Sequence, residues 1–472
     1  MEIKGGSEEQ RTVFYTALYR SQLNMSNITE DGRYYGGYDH RVHESGDHDF
    51  YVHDNIWDTY RSLHPLQLLL DPERKRDMIR SYLRMFEQSG FLPQFPSLRG
   101  DLPMMTGNHA AAMIVDAYRK GCRDFDHELA YRAMKKNAME WTMLPWVNGP
   151  LTELDRVYLD KGFFPALGKG QTEWVKEVDA FEKRQAVAVT LEHAYDDWCV
   201  AQMALILGYQ DDYAYFMKRA QNYRNLFDET IGFMAPKTAD GNWVKEFAPK
   251  LGGGLGGRDY FSECNSWVYT FHVQHDIEGL IELIGGQRAF EKKLDNLFTE
   301  QYDGPKYAFL GQFPDATGLI GQYCQGNEPA FHIPYLYNYA GAPWKTQRRT
   351  REIMKLWYQA TPAGICGDED NGAMSSWYVF SAMGLYPVCP GKPEYEIGSP
   401  LFEETKLRLG NGSTFIIRAN GASDRNKYIQ SAKLNGQVWN NSRIEHRLLE
   451  QGGLLEFEMG SRPNKNWGID RS

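Results

Sequence analysis

Long apolar runs are missing from this 472-residue sequence: nothing approaches the ~18 uninterrupted apolar residues of a membrane-spanning helix, so no membrane span is expected. Met1 is followed by Glu-Ile-Lys-Gly-Gly, so the chain as written also lacks an apolar signal segment. Positive charge is in deficit. A net charge of −10 opposes phosphate backbones and anionic membrane surfaces, and no nucleic acid is expected as a partner. The six cysteines, Cys122, Cys199, Cys264, Cys324, Cys366 and Cys389, form no Cys-x-x-Cys pair. Neither a zinc site nor a dense disulfide framework is indicated, and buried free thiols are the expectation. No internal repeat and no heptad pattern is present, which argues against a solenoid and a coiled coil.

Aromatic side chains are abundant, at 14 % of residues with 12 Trp, 29 Tyr and 24 Phe. Such rings fill cores, and they also lie flat against the apolar faces of sugars; composition does not separate the two uses, although core filling is the simpler one. Apolar residues at 42 % and charged residues at 24 % fit a folded globular chain. The length has room for about three domains of ~150 residues.

From about residue 7 to residue 385, apolar residues mostly recur at helical spacing, punctuated by Gly, Pro, Asp and Asn. One helix is expected to start at Asp71-Pro72-Glu73, to run through Met78, Tyr82, Met85 and Phe86, and to stop at Gly90. Another runs through Val187, Leu191, Tyr195, Trp198 and Leu205 to Gly208. About a dozen helices without convincing strand alternation fit a closed (α/α)6 barrel, a toroid of helical hairpins, over residues 1–390. After Pro390 the pattern changes. Leu407 and Leu409, the Gly410-Asn411-Gly412 turn and Phe415 to Ile417 read as a hairpin, and Asn435-Gly436 as another, giving a small β-rich region over 391–472.

The chemistry-bearing residues fall where helices begin. Gly367-Asp368-Glu369-Asp370-Asn371-Gly372 precedes an apolar helical stretch; one acid would suffice to cap that helix, and two acids spaced by two can put both carboxylates on one side to hold a water as well. Glu263 lies among aromatic and small residues that can raise a carboxyl pKa for acid work, against the plainer reading of a surface Glu. It follows the glycine-rich stretch 252–257, a mobile loop or a close backbone contact, which lacks the Gly-Lys-Ser/Thr ending of a phosphate loop. Asn327 and Glu328, just ahead of Pro329, offer oxygen ligands for a hard cation or a capped helix start. Trp57, Asp58 and Arg61 read as a sugar clamp or an intrahelical ion pair. Asp196 and Asp197 read as ligands for a sugar hydroxyl or as part of a solvated face, the simpler reading. His40, His43, His48 and His53 are spaced too irregularly to make a good metal site.

Seven strings carry a resemblance in order: TVFYTALYR, IWDTYRSLHPL, MTGNHAAAMIVDAYRKG, YDDWCVAQMALILG, SECNSWVY, GNEPAFHIPYLYNYAGAPWKTQ and GDEDNGAMSSWYVFSAMGLYPV. From about residue 8 to its end the sequence resembles glycoside hydrolase family 92, the calcium-dependent α-mannosidases. The resemblance implies an (α/α)6 catalytic barrel, a Ca2+ cofactor, and inverting exo-action on α-linked mannose in glycans. Glu263 matches the family's general acid, Asp370 with Asp368 its base region, and Asn327 with Glu328 a region near calcium and sugar. Trp57, Asp58 and Arg61 look like parts of the substrate pocket, with His109 and Asp197 as further substrate-binding candidates. Family members usually carry an N-terminal β-sandwich that lends residues to the pocket, whereas this chain begins essentially at the barrel, so a β-sandwich domain or chain is an expected partner. Extracytoplasmic residence, periplasmic or secreted, is implied in the same way. The competing readings are a non-catalytic mannose-binding barrel without the partner's residues, and a lyase acting on uronates, which the acids at 368–370 oppose.

Overall fold

A computed structural model describes residues 1–253, 258–303 and 317–469. The two helices with the clearest sequence signals form where their caps dictate. Asp71 accepts the backbone N–H of Arg74 at 3.2 Å, Pro72 opens the helix Pro72–Ser89, and Gly90 ends it in the left-handed region at φ 89°. That helix turns Met78, Ile79, Tyr82 and Met85 inward. The helix Ala186–Leu207 also ends on a left-handed glycine, Gly208, but it is buried on nearly every side over its first five turns. It is the inner wall of the structure. Helices Ala110–Arg119, His127–Glu140 and Gln210–Arg219 pack around it.

Closure is visible in the packing of the two ends of the helical region. The helix Glu8–Arg20 lies against Ala373–Met383, which also packs on Leu63–Leu70. The first helix therefore meets the last, as a toroid requires and an open stack does not. This is the expected helical barrel with a β-rich C-terminal part. Large rings fill its interior: Trp57, Trp377, Tyr60, Tyr82, Tyr158 and Tyr195 are fully buried, so much of the aromatic excess is core.

The C-terminal region holds both expected hairpins. Strands Glu404–Arg408 and Thr414–Asn420 pair antiparallel with Leu407 opposite Phe415. Tyr428–Leu434 and Gln437–Val438 pair around Asn435 and Gly436, both left-handed at φ 51° and 83°, the geometry a two-residue hairpin turn demands. The sheet runs Glu2–Lys4, Glu404–Arg408, Thr414–Asn420, Gly453–Gly460, Tyr428–Leu434, Gln437–Val438. Its first strand comes from the N-terminus, and Leu385–Tyr386 pairs with Glu394–Ile397 in a second sheet. Packing thus crosses residue 390, and one apolar core runs from Phe14 through Phe380 to Phe457.

The helical region also contains strands that the sequence did not announce. Arg33–Gly36 pairs with Arg41–Glu44, Phe227–Asp228 with Phe233–Met234, and Leu319–Ile320 with Tyr323–Cys324. At two to four residues each they are too short to display a period of two. Free thiols are found as expected, with Cys122 partly exposed and the other five buried.

Candidate active site

Four loops that enter short helices bring the acidic residues together. Trp57 and Asp58 lie on the turn Ile56–Thr59, Glu263 just before Ser266–Tyr269, Glu328 opens the turn Glu328–Ala330, and Asp370 opens Asp370–Gly372 ahead of Ala373–Met383. Asp58, Glu328 and Asp370 each place a carboxylate oxygen within 4.8 Å of the others. Burial pushes the Glu328 carboxyl well above its usual range, and the charges of Asp370, Asp58 and Glu263 push the same way. Asp58 is raised by burial, then by Asp370 and Glu263; Arg61 opposes without prevailing. One oxygen of Glu328, Oε1, is buried without a hydrogen-bond partner among the described residues.

Glycine makes this convergence sterically feasible. At Gly367, φ 68°, a Cβ would stand 2.6 Å from the carbonyl oxygen of Gly326, so only a bare backbone lets the loop of Asp370 press against the loop of Glu328. Asp370 and Asn371 are themselves left-handed, at φ 48° and 54°, a conformation that Asp and Asn tolerate better than other side chains but that still costs energy. The three consecutive acids have separate fates. Glu369 caps the turn, accepting the Gly372 N–H at 2.6 Å; Asp370 joins the buried group; Asp368 is exposed. Capping and the convergence of carboxyls are both present, on different residues.

Glu263 is partly buried rather than on the open surface, and the amide Nδ2 of Asn327 donates to it. The Asn327 carbonyl accepts from the Cys264 thiol at 2.9 Å. Asn327 therefore does not cap its own turn; its side chain spans the segment that carries Glu263. Gly253 presses its backbone on the same segment, donating to the carbonyl of Glu263 at 2.9 Å, where a Cβ would meet Ser262 O at 2.3 Å. The close-contact reading holds for Gly252 and Gly253, while 254–257 lie outside the described residues.

Arg61 makes no helical ion pair with Asp58. Its Nε donates to the Trp57 carbonyl at 3.1 Å and its guanidinium lies 4.7 Å from the Tyr60 ring centre and 5.0 Å from that of Trp57. The solvated-face reading of Asp196 and Asp197 is overturned, because their helix is buried all round and both carboxylates are inside. Asp197 accepts from Arg219 Nε at 2.8 Å and the Tyr158 hydroxyl at 3.0 Å, and Asp196 lies 2.8 Å from His109 Nδ1. His43 and His48 pair separately with Asp39 and Asp47, at 2.9 and 2.8 Å, so these histidines share no ligand. Glu192, fully buried and in contact with Trp57, His109 and Tyr269, escaped the sequence reading. Its signal was a Glu in an otherwise apolar stretch, AVAVTLEHAY, where an ionisable residue must have buried partners.

A closed helical toroid whose loops gather Asp58, Glu328 and Asp370, with Glu263 near enough to add its charge, has the acids that a glycoside hydrolase needs, and the family profile places the chain in that class. The chain belongs to glycosyl hydrolase family 92, whose catalytic-domain profile matches residues 1–461. It is 32 % identical to a family GH92 α-mannosidase of Bacteroides thetaiotaomicron solved in complex with mannoimidazole, with a TM-score of 0.88 over 99 % of this chain and 58 % of that one. A family GH92 inverting mannosidase of Bacteroides thetaiotaomicron VPI-5482 is 38 % identical, with a TM-score of 0.86 over 99 % of this chain and 62 % of that one. An uncharacterized secreted glycosidase of Arthroderma benhamiae is 29 % identical over 84 % of this chain. The chain spans about half the length of that curated relative, 50 %. Among the described residues, no helix is long and apolar enough to cross a membrane.

Proposed function

We propose that the chain is the catalytic barrel of an inverting, calcium-assisted exo-α-mannosidase that removes terminal α-linked mannose from glycans. The observation that carries this reading is the crowding of Asp58, Glu328 and Asp370 with Glu263 on a barrel of family 92. Inversion needs a protonated carboxyl at the leaving oxygen and an ionised one that activates water on the opposite face. Glu263 takes the first role: partly buried and among other acids, it protonates the glycosidic oxygen. Asp370 takes the second, removing a proton from the attacking water, with exposed Asp368 in support. Trp57, Asp58 and Arg61 form the wall against the sugar.

The donor chemistry suits calcium. Hard carboxylate oxygens converge, and the unpartnered Oε1 of Glu328 is a buried acceptor that a cation would satisfy. Glu328 and Asp58 would hold the ion, whose charge would orient the sugar hydroxyls and favour the flattened ring of the transition state. Asn327, grouped with Glu328 as a ligand on sequence grounds, instead aligns Glu263. A β-sandwich domain or chain packed on the barrel remains part of the proposal, supported by the longer structural relatives and by Tyr15 and Tyr19, exposed four residues apart on the first helix, with Leu23 exposed in the turn that follows it. Secretion is proposed on the name of the fungal relative. Proton NMR of aryl α-mannoside hydrolysis tests the reading: β-mannose should appear first, and a chelator should stop the reaction until calcium is restored. Release of α-mannose first, or indifference to chelation, would refute the corresponding part. Sugar binding without turnover would favour a mannose-binding barrel.

A further inference from the structure

Beneath the acid group lies a second layer of charge that the steps above leave unused. Glu192 accepts from the Trp57 indole Nε1 at 3.1 Å and the Tyr269 hydroxyl at 3.2 Å on one oxygen. Its other oxygen lies 2.7 Å from His109 Nε2 and 3.9 Å from Arg61 Nη2. The second ring nitrogen of His109 is 2.8 Å from Asp196, whose other oxygen accepts the Asn108 N–H at 2.6 Å. A neutral imidazole has a single N–H and could donate to only one of these carboxylates. With both carboxylates ionised, the imidazolium satisfies both contacts, donating one N–H to each. Burial works against that charge, but Asp196 and Glu192 outweigh it and lift the His109 pKa to about 9. With Arg61, the layer then holds two negative and two positive charges.

This arrangement reassigns His109. With both nitrogens engaged by carboxylates, the ring has no polar atom left for a sugar hydroxyl. Its Nε2–H holds Glu192, and Glu192 in turn holds Trp57 and lies against Arg61, the two side chains proposed to meet the sugar. Arg61 is held at Nε by the Trp57 carbonyl, but its Nη2 has no hydrogen-bond partner among the described residues, so that end of the guanidinium rests on the charges of Glu192 and Glu328.

We infer that Glu192, clamped by the His109 imidazolium, is the positioning residue that fixes the Trp57 indole and the Arg61 guanidinium against the sugar. The inference rests on the mannosidase reading. Glu192→Gln keeps the shape and one acceptor oxygen but presents an NH2 to His109 and removes the charge that faces Arg61. Because a hydrogen bond to a charged group is lost together with the charge that faces Arg61, kcat/KM for an aryl α-mannoside should fall about tenfold or more, carried by KM rather than kcat. A purely structural residue would lower the melting temperature and leave KM of the folded enzyme alone, which would overturn the inference. Should Glu192→Gln not fold, Tyr269→Phe keeps the ring, removes the hydroxyl that Glu192 accepts and leaves the sugar wall itself unchanged. KM should then rise about threefold or more, and an unchanged KM overturns the positioning role. A wild-type chain that cleaves no mannoside removes the mannosidase reading and this inference with it. An active wild type beside an unimpaired variant removes this inference alone.

Discussion

Two buried polar regions lie a few residues apart in this barrel and are built on opposite principles. In the lower one every negative group has a positive or hydrogen-donating partner: Glu192 and Asp196 share His109, and Asp197 is held by Arg219 and Tyr158. In the upper one, Asp58, Glu328 and Asp370 crowd together, and burial and mutual repulsion raise the first and second of them. Charge pairing of the lower kind serves the fold and the alignment of what stands above it. Like charges held together serve no fold, and they persist where a cation, a proton or a transition state resolves them.

Substitutions should separate the two regions. The largest expected effect is on turnover: Asp370→Asn should slow every substrate by ~10²–10⁴-fold, with the fold retained because Asn tolerates the left-handed backbone at 370. Asp368→Asn should cost much less in the same assay, and equal losses would transfer the base role. In the paired region the effect moves to stability. Asp197→Ala leaves the Arg219 guanidinium buried without its carboxylate, and denaturant unfolding should show a loss of about 3–5 kcal/mol.

A smaller effect of opposite sign is expected at Glu328. Glu328→Gln relieves repulsion, so the calcium-free variant should melt ~1–3 °C above the calcium-free wild type, while added calcium should no longer raise its melting temperature. The smallest effect is the pH dependence. Asp58 and Glu328 have raised pKa values in the folded state, so the folded protein binds more protons than the unfolded one once pH exceeds the ordinary carboxyl values of 3.8 and 4.5. Stability of the calcium-free protein should therefore decline as pH rises from about 4 through the raised values, and the stabilisation by calcium should grow over the same range. Melting curves with and without calcium check this, and parallel profiles would contradict it.

The upper region was far more legible in the sequence than the lower. Its acids stand in loops with Gly and Asn, at helix starts, where polar residues draw notice; Glu263, Glu328 and Asp370 were all visible as candidates. What stayed hidden was their company. That Asp58 joins Glu328 and Asp370 depends on backbones 41 residues apart touching at Gly326 and Gly367, a distance no local pattern records. Glu192 was passed over because a helix buried on all sides has no polar face to set it apart, and the same burial made Asp196 and Asp197 look solvated. In the fold, caps and turns such as Asp71, Gly90 and Asn435-Gly436 are local and were readable. The pairing of Glu2–Lys4 with Glu404–Arg408 joins the two ends of the chain and was not.

If Glu263 supplies the proton to the leaving group at the acid cluster, the effect of removing it must depend on how much protonation the leaving group needs. Rates of Glu263→Gln and wild type should be compared on an α-mannobioside and on a dinitrophenyl α-mannoside, with calcium present. Glu263→Gln should lose ~10²–10⁴-fold on the disaccharide, whose leaving oxygen needs protonation, and keep a nearly unchanged rate on the dinitrophenyl substrate, which needs none. Equal losses on both substrates, or no loss on either, would contradict the acid role of Glu263.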